Sequence, residues 1–152
     1  AMWDYGIFKK LADLDNAVLI KRSFAATTQE SCQMAEYLFN AEKYNVMICE
    51  RGIRTFEPNS RFTLDLCGAA WIKKETNIPL VLDPSHAMGY SYGVPELTLA
   101  CTATKPSALL IEVHPDPKNA KSDASQQLNF SEFKKLYLDV KKVAEAVGCE
   151  VI

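Results

Sequence analysis

Two histidines occur in the chain, His86 and His114, and each stands a few residues past a short apolar run. Carboxylates accompany them: Asp83 three residues before His86, Glu112 two before His114, and Asp123 nine beyond it. His86, Glu112 and Asp123 together offer an imidazole and two carboxylates, a mixed N/O set suited to a divalent first-row ion. Lys21, Arg22, Arg51 and Arg54 supply a point charge and forked guanidinium donors, the groups that hold phosphates and carboxylates. A lone Lys or Arg after a strand is usually a solvated charge, and a lone histidine is usually a hydrogen-bonded structural residue. Coincidence weighs against that plain reading, because both histidines, His86 and His114, lie just past apolar runs. On the residues alone, a metal-and-phosphate site and a set of solvated charges both stay open.

The elements that must position them are legible from pattern. Apolar runs at 17–20, 45–48, 79–82 and 108–111 recur at intervals of roughly thirty residues, too short for helices and rich in β-branched side chains. They are continuous, not alternating, which predicts parallel strands covered on both faces. Between them lie helical patterns at 28–42, with Thr27 or Thr28 as N-cap, at 64–75, and at 95–101 with Pro95 in the first turn. A short helix at 3–12 precedes the first strand. A last one begins near Asn129, where Asn129 and Glu132 read as a capping box, and ends at Gly148. The expected order is α(βα)4 without a linker, one unit over residues 1–152. Lys21-Arg22, Glu50-Arg51-Gly52, Asp83-Pro84-Ser85-His86 and Glu112-Val113-His114-Pro115 then all fall at the carboxyl ends of strands, where parallel α/β folds bind ligands. Four equivalent clusters converging on one place favour a (β/α)8-type barrel over an open sheet.

Bulk properties narrow the partners. A formal net charge of -2 argues against nucleic acid or membrane partners that need a broad basic field. No apolar run reaches the roughly 20 residues of a membrane span. The five cysteines, Cys32, Cys49, Cys67, Cys101 and Cys149, are odd in number and form no C-x-x-C pair, as expected of reduced thiols in the cytoplasm.

Six segments carry a family resemblance: KRS from Lys21, CERGIRTFE at 49–57, RFTLDL at 61–66, DPSHAMG at 83–89, IEVHPDP at 111–117 and SDASQ at 122–126. As a set, in this order and spacing, they resemble the type I DAHP synthases, with the β subgroup the closest match. The related KDO8P synthases fit these strings less well. The resemblance implies an α/β fold, half of a TIM (β/α)8 barrel with about four parallel strands alternating with helices, equivalent to the C-terminal half of the catalytic domain. It implies condensation of phosphoenolpyruvate with erythrose 4-phosphate, dependent on Mn2+ or a similar divalent ion. His86, Glu112 and Asp123 would be three of four metal ligands, His86 acting also in catalysis with Lys21 and Arg51. Lys21 and Arg51 would bind phosphoenolpyruvate, and Arg22, Arg54, Asp83 and His114 would lie in or beside the pocket. The family's fourth ligand, a cysteine, and an early K-P-R-T/S segment have no counterpart here. KRS stands in place of KRG, GYSYG in place of a basic stretch, and SDASQ in place of SDGPQ.

Half a barrel has two raw sheet edges and an uncovered inner face. Three situations are therefore expected: a piece of a longer enzyme, a half-barrel completed by a second chain, or a self-associating, non-catalytic relative that binds a phosphorylated ligand or a partner. Ala at position 1, with a helix starting almost at once, favours the truncated piece.

Overall fold

The apolar runs become strands, and helices carry the chain from each to the next. A computed structural model describes residues 2–152. Its elements are α1 (Tyr5–Ala12), β1 (Val18–Lys21), α2 (Thr28–Asn40), β2 (Val46–Glu50), α3 (Leu66–Glu75), β3 (Leu80–Leu82), α4 (Pro84–Met88), α5 (Val94–Ala103), β4 (Ala108–Leu109) and α6 (Phe130–Ala146). Single 3-10 turns occupy Ser91–Gly93 and Pro117–Asn119. The strands pair in parallel in the order β1-β2-β3-β4, with Lys21 level with Cys49, Cys49 with Val81 and Val81 with Ala108. A spatial order that follows chain order without reversal is the sense of a barrel arc, not of a doubly wound sheet.

Register separates the two faces. Val18, Ile20, Val46, Ile48, Leu80 and Leu82 pack with Met34 and Leu38 of α2, Ala69 and Ile72 of α3 and Cys101 of α5 into the principal core. Each large apolar side chain buried there, Leu38, Ile48, Ile72, Leu80 and Leu82 among them, contributes about 1.5–3 kcal/mol. The opposite face carries the alternate residues. Leu19 and Met47 there are half-buried and Ala108 is exposed. The expectation that both faces are covered is thus met fully on the helix side, and on the inner side only at Cys49 and Val81, which are buried. The runs read as continuous because the inner positions are apolar too.

Local chemistry fixes the helix ends. Thr27 and Glu30 form a reciprocal capping box on α2, and Asn129 and Glu132 form one on α6, each cap worth about 1 kcal/mol. Asp65 caps α3 through Gly68 N–H, so this helix starts two residues later than the apolar pattern implies. The α4 helix was not expected. Asp83 caps it, Pro84 fills its first position, and Gly89 at φ +74° ends it, the usual start and stop chemistry compressed into one turn. The fourth strand is shorter than 108–111. It lies at the edge of the sheet, although Leu110 N–H still bonds Leu82 O at 2.9 Å. No helix among the described residues is long and apolar enough to cross a membrane.

Candidate metal centre and anion site

Side-chain alternation decides which strand-end residues can meet. Lys21, Cys49 and Val81 share one row of the inner face. Arg51 and Asp83 lie two positions beyond Cys49 and Val81, and by the same parity Glu112 follows Ala108 and Leu110. Arg22 has the opposite parity, and its neighbour across the ladder is Glu50.

Arg22 therefore turns toward the helices. Its NH1 lies 2.6 Å from Glu50 Oε2 and 2.9 Å from Asp65 Oδ2, and its Nε donates to Ala26 O at 2.9 Å. Burial alone would lower the guanidinium pKa, but the bonds and charges of Asp65 and Glu50 outweigh it, and the net shift is upward. Glu50, fully buried, also accepts from Gly52 N–H at 2.7 Å and from Asp65 N–H at 3.4 Å. The cluster ties the ends of β1 and β2 to the cap of α3, and none of its charges faces the inner side.

On that inner side a second polar chain begins at Lys21, whose Nζ donates to Asp83 Oδ2 at 3.3 Å. The same oxygen lies 2.7 Å from His86 Nδ1. The separation is that of an ion pair, but the alignment is not that of a hydrogen bond, and Nδ1 has no aligned partner. On its other side, His86 Nε2 lies 3.5 Å from Glu112 Oε1. One donor atom each from His86, Glu112 and Asp123 falls within 4.8 Å of the others, and all three residues are half-buried. They come from α4, from the segment after β4, and from the turn at 122–126, where Asp123 adopts φ 52°, a left-handed conformation that Asp tolerates better than most residues. One imidazole and two carboxylates that close fit a first-row divalent ion.

Two side chains beyond the expected set complete the cluster. Arg61 NH1 donates to Asp123 Oδ1 at 2.9 Å and to Gln126 Oε1 at 3.1 Å, while Gln126 Nε2 donates to Glu112 Oε2 at 2.6 Å. Glycines allow Arg61 to reach them. A Cβ on Gly89 would stand 2.5 Å from Arg61 Cβ, and one on Gly52, at φ +97°, would stand 2.6 Å from Phe62 Cβ and 3.2 Å from Ala87. Residues 61–62 thus lie against α4, with Arg61 N–H on Met88 O and Phe62 N–H on Ala87 O.

The remaining expected residues are placed as follows. The Arg51 guanidinium lies 5.6 Å from the Phe62 ring centre, and its buried Nε has no partner. Arg54 is exposed, held only by its backbone N–H on Phe24 O. His114 is half-buried, and its Nδ1 accepts from Asp116 N–H at 3.0 Å, a local contact. Cys49, beside Lys21 on the inner face, is pushed up to about 12 by burial and by Asp83, so its sulfur remains a thiol. Lys21, Asp83, His86, Glu112 and Asp123 come together in one chain of contacts, and Arg22 does not join them. Arg61 and Gln126 lie in two of the motif segments, but a neutral amide and one more surface arginine carry no chemical signal in a sequence.

A parallel βα arc with a mixed N/O donor set and cations at the carboxyl ends of its strands has the layout of barrel-type folds, which bind their ligands at that face. The chain belongs to the DAHP synthetase I family, whose model matches residues 2–148. It is 39% identical over 148 residues to the phospho-2-dehydro-3-deoxyheptonate aldolase of Thermotoga maritima, covering 97% of this chain and 44% of the relative. It is 31% identical over 114 residues to a 2-dehydro-3-deoxyphosphooctonate aldolase of Cronobacter sakazakii, covering 67% of this chain and 39% of that one. The crystal structure of the Thermotoga maritima DAHP synthase superposes with a TM-score of 0.96 at 38% identity, over 99% of this chain and 45% of that one. A truncated form of the Thermotoga maritima enzyme gives the same TM-score over 58% of its length. The chain thus spans less than half the length of these full-length relatives.

Proposed function

We propose that this chain is a C-terminal half-barrel of β-subgroup DAHP synthase type, one unit over residues 1–152. In the complete barrel it serves the condensation of phosphoenolpyruvate with erythrose 4-phosphate. The observation that carries the reading is the convergence of His86, Glu112 and Asp123 within 4.8 Å, joined through Asp83 to Lys21. His86, Glu112 and Asp123 would hold a divalent ion, Mn2+ or one like it, which when bound would polarise the aldehyde carbonyl or orient the activated water. Asp83 Oδ2 stands 2.7 Å from His86 Nδ1, which leaves Nε2, on the side of Glu112, as the ligand atom. Lys21 and Arg51, on the same face, hold phosphoenolpyruvate by its phosphate and carboxylate, so that its C3 meets the aldehyde carbon. Water adds at C2 and inorganic phosphate leaves. Arg54, which is exposed, and His114, which is half-buried, would lie in or beside the pocket. Arg22 works from behind, fixing the strand ends that carry Lys21 and Arg51. Five unpaired cysteines fit the reducing cytoplasm.

The test is phosphoenolpyruvate consumption by the purified chain with erythrose 4-phosphate and Mn2+, with and without a chelator. The assay is run for the chain alone and after mixing with the other half of a related barrel. Chelator-sensitive turnover in either case is the expected result; none in both, from folded material, would sink the catalytic reading. Arabinose 5-phosphate in place of erythrose 4-phosphate separates this activity from that of a KDO8P synthase. The two raw edges at β1 and β4 and the half-buried Leu19 and Met47 favour a second reading, a non-catalytic half-barrel completed by another copy or by a partner chain. A stable oligomer that binds phosphoenolpyruvate without turnover would support it.

A further inference from the structure

The Gln126 amide is 1% exposed and has only one workable orientation. Arginine can only donate, so the amide oxygen must face Arg61, and the amide nitrogen then faces Glu112. That single choice commits Glu112 Oε2 at 2.6 Å and leaves Oε1 toward His86 Nε2. Arg61 commits Asp123 in the same way, through Oδ1 at 2.9 Å, and leaves its other oxygen free.

We infer that Arg61 and Gln126 are positioning residues that restrict Glu112 and Asp123 to one ligand oxygen each, and so set which divalent ion the centre accepts. This rests on the metal reading above. Calcium takes 6–8 oxygens and relies on bidentate carboxylates, whereas smaller ions are content with four to six monodentate donors at shorter distance. A centre whose carboxylates each keep one oxygen engaged elsewhere discriminates against Ca2+. The engagement is built into the fold. Gln126 is buried, Arg61 is carried on a segment pinned to α4 at Gly89, and the 122–126 turn is tied to the same place by Ser125 Oγ on Gly89 O at 2.9 Å.

The experiment measures Mn2+ and Ca2+ dissociation constants for the chain by Mn2+ paramagnetic resonance with Ca2+ competition. Wild type is compared with Arg61→Met, Gln126→Leu and His86→Ala. The readout is the ratio of the two constants, because a lost charge acts on two divalent ions alike and cancels. The expected result is that Arg61→Met and Gln126→Leu each narrow the preference for Mn2+ by about 10- to 100-fold, the usual range for groups that orient metal ligands. A ratio unchanged in Arg61→Met, or in folded Gln126→Leu, overturns the inference. If Gln126→Leu does not fold, Arg61→Met decides alone, since its side chain is 43% exposed and circular dichroism establishes its fold. Unchanged Mn2+ binding in His86→Ala would overturn the metal reading and this inference with it. Loss of binding in His86→Ala with wild-type ratios in the other two would overturn this inference only.

Discussion

The β1–β2 end of the sheet and the β3–β4 end carry much the same residues in different states of completion. At the first, Arg22, Glu50 and Asp65 bond to one another and to Ala26 O, Gly52 N–H and Gly68 N–H, and no fully buried side-chain nitrogen or oxygen among them lacks a partner. At the second, His86 Nδ1 lacks an aligned partner, and one carboxylate oxygen each from Glu112 and Asp123 lies within reach of His86. Two carboxylates and a basic group make a structural clamp in one place and the proposed ligand site in the other. What separates them is whether the valences are filled, and this depends on register and on which loop arrives. Composition does not distinguish them.

The comparison is broken most directly at Glu50. Glu50→Ala strands the buried Arg22 and two backbone donors, and the expected loss is about 3–5 kcal/mol, the scale for removing one partner of a buried ion pair. Urea unfolding measures it, and a loss below about 1 kcal/mol would mean the clamp is not structural. The mirror experiment is His86→Ala. Stability there is expected to stay within about 1 kcal/mol of wild type, as for substitutions that break no buried network. Mn2+ affinity is expected to fall by more than the roughly 10- to 100-fold typical of groups that merely orient a ligand. Equal destabilisation by the two variants would erase the distinction.

A sharper probe is Gly89→Ala, which places a Cβ 2.5 Å from Arg61 Cβ at φ +74°. It should lower the melting temperature, by strain worth about 1–3 kcal/mol, and displace Arg61 from Asp123 while leaving the β1–β2 clamp intact. Chemical shifts of Gly52 and Asp65 amides that stay put, while those of 122–126 move, would bear this out. The smallest effect belongs to Glu30. Bonds from Thr27 N–H, then from its hydroxyl, hold this carboxyl below its ordinary 4.5. A folded-state pKa lowered in this way gives stability that is present above the ordinary value and lost as pH falls through the folded one. Glu30→Gln keeps the capping box but flattens that part of the stability profile below pH 4.5, measurable by urea titration at two acidic pH values.

Much of this was legible in the chain beforehand. The four strands, a cap at Thr27 or Thr28, the Asn129 cap and the approach of His86 to Glu112 follow from apolar runs, capping pairs and the rule that sites gather at strand carboxyl ends, whereas Asp123 joins them as a ligand only through the family resemblance. The sequence pattern puts Lys21 and Arg22 in one cluster, although adjacent strand residues face opposite sides. The period-two rule alone separates them, once the strand is known to run through Lys21. Helix α4 was missed because its start and stop signals lie five residues apart inside what read as a strand-end loop. Arg61 and Gln126 were beyond reach. Their importance comes from a meeting of the 53–63 segment with the 122–126 turn, some sixty residues along the chain, and no local pattern encodes such a meeting.

The excursion between β2 and α3 has a practical side. Its stems are fixed by the Ile53–Thr63 bridge, by Thr55 Oγ1 against Thr63 Oγ1 at 2.7 Å, and by the two glycine contacts, while Phe56 at its tip is 99% exposed. Exposed tips on pinned stems are where chains accept cuts and insertions. A chymotryptic nick after Phe56 should leave two fragments that stay together, one bearing Arg51 and the other Arg61. A dye or short tag inserted between Phe56 and Asn59 would report on the centre without moving either arginine.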